Sequence, residues 1–167
     1  AIYEYKGADS RFLTMGNVLW KEYGEFVSLP LHQSFRVTKN IAWFVNNFMI
    51  GTKRIVSKKT DKNYKVEYLR MNKYSINNHL YKYIEYLIKK KGYSVNDIFV
   101  LVKSVKYGGY KELENILCDN GYSCFAPIND DKNIDNDIIK NKIIFTTIHQ
   151  SKGLERKVVI MYDFDQS

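Results

Sequence analysis

The stretch DIFVLVKSVKYGGYKELENILCDNGYSCF, residues 97–125, decides how the rest of the chain is read. Asp97 is followed by Ile98, Phe99, Val100, Leu101 and Val102, an unbroken apolar run of the kind that a strand buried on both faces requires. A helix is predicted from about Tyr110 to Asn120, with Leu113, Ile116 and Leu117 inward and Gly121 as its stop. Residues 122–125, YSCF, then read as a short strand. The pattern continues in both directions. Toward the C-terminus, KIIFTT (142–147) and KVVIMY (157–162) are two more apolar, β-branched strands. Toward the N-terminus, Ser75 opens a helix with Ile76, Leu80, Ile84, Leu87 and Ile88 on one face. Lys89, Lys90 and Lys91 fill its last turn, where they complement the helix dipole, and Gly92 ends it.

Further upstream, KVEYL (65–69) and FVSLPL (26–31) read as strands. Between them Thr38 caps a helix whose Ile41, Phe44, Val45, Phe48 and Met49 fall at helical spacing. Alternation of this kind predicts an α/β fold with a mostly parallel central sheet and right-handed crossovers. The polar stretch between Ala126 and Asn141 reads as a loop. It is too short for an inserted domain, and its acidic residues lack the spacing and the glycine of a calcium loop.

The chain has 167 residues, 45% of them hydrophobic, which suits one compact domain with a real core and excludes disorder. No apolar run is long enough to span a membrane, and AIYEYKGADSR is no signal peptide. Without an initiator Met, the expectation is an internal piece of a longer, intracellular protein. Lys and Arg number 26 against 18 Asp and Glu, a net charge of +8 that is compatible with a polyanionic partner. Cys118 and Cys124 fall outside any metal-ligand spacing and read as two buried thiols in a reducing compartment.

In such a sheet, ligands gather at the carboxyl ends of the strands. Three segments have the chemistry for it. IYEYKGAD (2–9) alternates Tyr3 and Tyr5 with Lys6, flat aromatic faces beside a cation, on which unpaired bases stack while a phosphate is neutralised. By local pattern alone the same residues also suit an edge strand. LHQSFRVTKNI (31–41) places Arg36 just before a helix N-terminus, where an Arg fork adds bidentate phosphate binding, with Phe35 beside it for a purine ring. IIFTTIHQSKGLERKVVIM (143–161) ends a strand in Thr146, Thr147 and His149, makes a Lys-Gly turn, and begins another strand after Glu155. Hydroxyls and an imidazole there suit a backbone phosphate, and a carboxylate suits a ribose hydroxyl; a lone His also serves as a structural hydrogen-bonder.

Taken together, these segments resemble motifs III, IV and V of the UvrD/Rep/PcrA-like superfamily 1 DNA helicases. IYEYKGAD looks like IYxFRGAD, LHQSFR like LxxNYRS, and TTIHQSKGLE like TxHxxKGLE, in the family's order. The resemblance implies a RecA-like three-layer fold. Residues 1–24 would be the tail of a first RecA-like domain and residues 25–167 a second one, without the large accessory insertion. It implies an ATP-dependent helicase that moves 3′ to 5′ along single-stranded DNA, in repair, replication or recombination. Tyr3, Tyr5 and Lys6 fall on positions that contact DNA, as do Thr147 and His149. Phe35 falls on the adenine-stacking position, Arg36 on the catalytic arginine that reaches the γ-phosphate, Gly153 on the turn, and Glu155 on the carboxylate that meets the ribose. Ser34, Phe35 and Lys6 stand where the family more often has Asn, Tyr and Arg. No G-x-x-x-x-G-K-[ST] occurs, so Mg and the ATP phosphates are expected mainly on the first domain of the parent chain, and these residues alone should not hydrolyse ATP. Two other readings share the same motifs: a catalytically dead nucleic-acid-binding module, and the helicase part of a helicase–nuclease.

Overall fold

The structure, a computed structural model, describes residues 11, 15–25, 27, 31–60, 64–128 and 139–164. The fold is α/β, and the chain divides into two compact units, Ala1–Arg70 and Met71–Ser167.

The second unit holds a four-stranded, all-parallel sheet in the order β4-β5-β3-β6. Its strands are β3 (Ile98–Leu101), β4 (Cys124–Phe125), β5 (Ile143–Thr146) and β6 (Val158–Met161). Register pairs Val100 with Phe145 on one side and with Ile160 on the other, so alternate residues of three strands share a face. On that face Ile98, Val100, Ile143 and Phe145 meet two helices, α3 (Ile76–Lys89) and α4 (Tyr110–Asp119), through Leu80, Ile84, Leu113 and Leu117. The opposite face is served by a smaller cluster in which Phe99 and Ile144 meet Ile139, Phe125 and Leu154. The guanidinium of Arg156 lies 5.3 Å from the centre of the Phe99 ring and donates to the Asn96 carbonyl.

These elements form where the sequence places them, with one correction, at the two cysteines. The strand at β6 has one open face: Val159 and Met161 are exposed, because β6 is the sheet's edge and no described residue covers that side. Of the two thiols, Cys118 is exposed and Cys124 half-buried; Cys118 sits on the outer side of the last turn of α4, next to the buried Leu117. Ser75 stands at the N-cap of α3 but makes no side-chain capping bond.

The first unit contains α1 (Gly16–Leu19) with a 3₁₀ turn at Lys21–Tyr23, and a two-stranded parallel sheet of β1 (Gln33–Ser34) and β2 (Val56–Ser57). Between those strands runs α2 (Lys39–Phe44), continued by a π-helical segment at Val45–Ile50. Thr38 caps α2 as expected, accepting from the Ile41 amide at 3.4 Å. The buried face, however, is Ala42 and Asn46, while Ile41 and Phe48 are exposed and Phe44 and Val45 half-buried. Asn46 explains this. Its side chain accepts from the amides of Arg54 (3.0 Å) and Ile55 (2.9 Å) and donates to the Ile55 carbonyl (2.8 Å), clamping the chain that enters β2. The segment KVEYL forms no strand. Residues 64–70 are irregular and exposed on both sides of the alternation, and their backbone meets the Asn40 side chain at the Tyr64 carbonyl (2.9 Å) instead of a neighbouring strand. Most of FVSLPL (26–31) lies outside the described residues; Leu31 is exposed and irregular.

Candidate functional site

At the carboxyl end of β5, an interior strand, the chain turns sharply through residues 147–153. Thr147 is buried and organises the turn. Its amide donates to Gln150 Oε1 at 3.2 Å, and its hydroxyl accepts from the Gln150 amide at 3.4 Å, a reciprocal capping arrangement. The hydroxyls of Thr147 (3.2 Å) and Thr146 (3.4 Å) also reach Gln150 Oε1. Ser151 completes the turn, its amide donating to the Thr147 carbonyl at 3.0 Å. Gly153 then takes φ +88°, a left-handed conformation that side-chain-bearing residues rarely adopt, and leads the chain back toward β6. His149, Lys152 and Glu155 are exposed around this turn. The structure therefore brings Thr147, His149, Gly153 and Glu155 together on one surface feature, with Thr147 as its internal support.

Gln150 was not singled out by sequence reasoning, although T-x-x-Q spacing is a capping signal and would have found it. A second missed group lies at the carboxyl end of β6. Tyr162 donates its hydroxyl to Asn77 Oδ1 at 2.8 Å, and the Asn77 amide donates to Glu112 Oε2 (2.7 Å) and the Gly109 carbonyl (3.2 Å). Burial pushes the Tyr162 phenol up from its ordinary range, so it stays a donor. This network ties the start of α3 and the end of β6 to the loop that leads from β3 into α4. The same loop borders a shallow cleft of about 470 Å³ beyond the ends of β3 and β4, with Lys106, Tyr107 and Lys111 on one side and Pro127 and Ile128 on the other. The Glu114 carboxylate lines the same cleft, so charges of both signs stand beside the exposed Tyr107 ring.

In the first unit, Phe35 and Arg36 are adjacent and exposed on a bend between β1 and the capped start of α2. Ser34 shapes that bend, its hydroxyl accepting from the amides of Val37 (3.2 Å) and Arg36 (3.4 Å). Tyr3, Tyr5 and Lys6 lie outside the described residues. Among the described residues, no group of three or more His, Cys, Asp or Glu is placed to hold a metal ion, and no helix is long and apolar enough to cross a membrane. No family model, curated protein or solved structure matches the chain.

Proposed function

We propose that this chain is the second RecA-like domain of an ATP-dependent, UvrD-like DNA helicase, together with the tail of the first. The reading rests above all on TTIHQSKGLE, whose residues form one hydrogen-bonded turn at the carboxyl end of an interior strand in an all-parallel sheet. That is where an α/β sheet offers its ligand surface. On this reading His149 meets the nucleic-acid backbone, and Thr147 positions it by holding the turn. Tyr5 stacks on a base, with Tyr3 and Lys6 beside it. Phe35 and Arg36 serve the adenine and the γ-phosphate, and Glu155 the ribose. ATP, held with Mg mainly by a preceding domain, supplies the free energy that drives movement along the strand.

The test on the chain itself is fluorescence anisotropy with a labelled oligothymidine at several salt concentrations. Binding should weaken steeply with salt, since neutralised phosphates release counterions. Tyr5→Ala should remove a stack worth about 1–3 kcal/mol, and His149→Ala should weaken binding while leaving the melting temperature in place. Salt-independent binding that ignores both substitutions would overturn the reading. In a longer protein that also carries the nucleotide-binding domain, Arg36→Ala should lower DNA-stimulated ATP turnover on the order of a thousandfold. Its nucleotide-free DNA affinity should stay unchanged. Near-normal turnover would remove Arg36 from the nucleotide.

A further inference from the structure

The helix α2 and the π-helical segment that continues it carry aromatic rings on their outer side. Ala42 and Asn46 turn inward, while Trp43 is 60% and Phe48 66% exposed. The π-helical register assembles these rings. Five steps along an α-helix would set Trp43 and Phe48 about 140° apart around the axis. Bonding from i to i+5 lays them over one another instead. The two rings meet edge-on with centres 5.7 Å apart, and Phe44 stacks on Phe48 at 5.1 Å with 26° between the planes. The Asn47 side-chain amide donates to the Trp43 carbonyl at 2.7 Å, which fixes the backbone beneath the rings. The charge along this part of the chain has one sign. Residues 26–60 hold six Lys and Arg and no Asp or Glu, in a chain with 18 acidic residues. Lys39 lies one helical turn before Trp43 on the same strip of α2, and Lys53 and Arg54 follow Gly51, whose φ of +71° ends the π-helical segment. All three cations are exposed. The segment 64–70, tied to α2 by the bond from Asn40 to the Tyr64 carbonyl at 2.9 Å, adds Lys65 and Arg70 against Glu67.

We propose that Trp43 and Phe48 form a stacking platform for single-stranded nucleic acid, with Phe44 backing Phe48 and with Lys39, Lys53 and Arg54 along the phosphates. Bases lie against the two exposed rings, in any sequence, because every base has a π-face. The cations supply the salt-dependent part of the contact. Charge decides between this occupant and a protein. Protein-docking faces are depleted of Lys toward their centre, whereas these rings sit in a segment whose every charged residue is a cation. The platform goes beyond the reading of Tyr5 and of the turn at Thr147, shares no residue with either, and stands or falls separately from them.

The experiment irradiates the full wild-type chain with an oligothymidine that carries 5-iododeoxyuridine, at several salt concentrations, and maps the adducts after trypsin. Cleavage after Lys39 and Lys53 isolates residues 40–53, a peptide that holds all three rings and none of Tyr5, Arg36 or His149. The expected result is an adduct on Trp43 or Phe48 that fades as salt rises. In anisotropy with labelled oligothymidine, Trp43→Ala and Phe48→Ala should each weaken binding about fivefold or more. The melting temperature of Trp43→Ala should hardly move, since that ring is exposed. An adduct in residues 40–53 with binding indifferent to Tyr5→Ala and His149→Ala would sustain the platform and remove those two residues from the strand. Adducts confined to other peptides would overturn the platform and leave the helicase reading standing. A dimer in sedimentation velocity that Trp43→Ala dissolves and oligothymidine does not would give the face to a second copy of the chain, and would also overturn it. The adduct map and the sedimentation of the wild-type chain stand even if a variant fails to fold.

Discussion

Gln150 and Gly153 lie in the same turn, yet they are needed for different physical reasons. Gln150 Oε1 receives the Thr147 amide and two threonine hydroxyls in a buried setting. Gln150→Ala should therefore strand donors away from water and cost about 1–3 kcal/mol in urea denaturation. Gly153 has nothing near the position of an added Cβ, so Gly153→Ala meets only the left-handed backbone strain, roughly 1–2 kcal/mol. His149 is exposed, and His149→Ala should change stability by less than about 0.5 kcal/mol. A large stability loss at His149 would show that it supports the turn rather than faces a ligand. The candidate site was legible here because motif residues cluster within one short segment. The network of Asn77 and Tyr162 was not, since the two are 85 residues apart and neither has a local pattern that names the other.

Asp97 shows at the level of an element how a short turn launches a strand. It ends the 3₁₀ turn Val95–Asp97, accepts from the Ser94 amide at 3.0 Å, and pairs with Lys157 at 3.0 Å just before β6. Burial raises its proton affinity, but the Ser94 amide and Lys157 together outweigh that and hold the carboxyl below its ordinary range. Because the folded state binds this proton less readily than the unfolded chain, the stability it adds is present above about pH 4 and is lost as pH falls through the folded value. The stability gap between wild type and Asp97→Asn, from urea melts, should narrow as pH drops from about 6 to about 3. A gap constant with pH would mean the carboxylate's charge does not contribute. The strand that follows was legible because five successive apolar residues suit only a buried strand there. KVEYL misled because alternation of Val66, Tyr68 and their neighbours describes a half-buried strand only if a partner strand exists. The partner is a non-local fact. Likewise α2 was legible as a helix through Thr38, but which face turned inward was decided by Asn46, a polar residue that the apolar count passed over.

Charge and core are distributed unequally over the whole chain, and that inequality yields a further prediction. Both apolar clusters, all four strands of the larger sheet and both of its helices lie within residues 71–167. That piece should fold by itself with a cooperative urea transition, since no described residue of either cluster comes from outside it. The same piece carries 14 Lys and Arg against 12 Asp and Glu, only +2 of the chain's +8. On the proposed nucleic-acid reading, the net positive charge that favours a polyanion lies mostly in residues 1–70, where 12 Lys and Arg stand against 6 Asp and Glu. In salt titrations of oligothymidine binding, residues 71–167 should bind more weakly than the full chain and give a distinctly shallower plot of log affinity against log salt. His149→Ala should still reduce the binding that remains, because the turn at Thr147 is built entirely within this piece. A broad, non-cooperative melt would show that the two clusters are not a self-sufficient core. Equal salt slopes for the piece and the full chain would show that the basic excess of residues 1–70 does not face the nucleic acid.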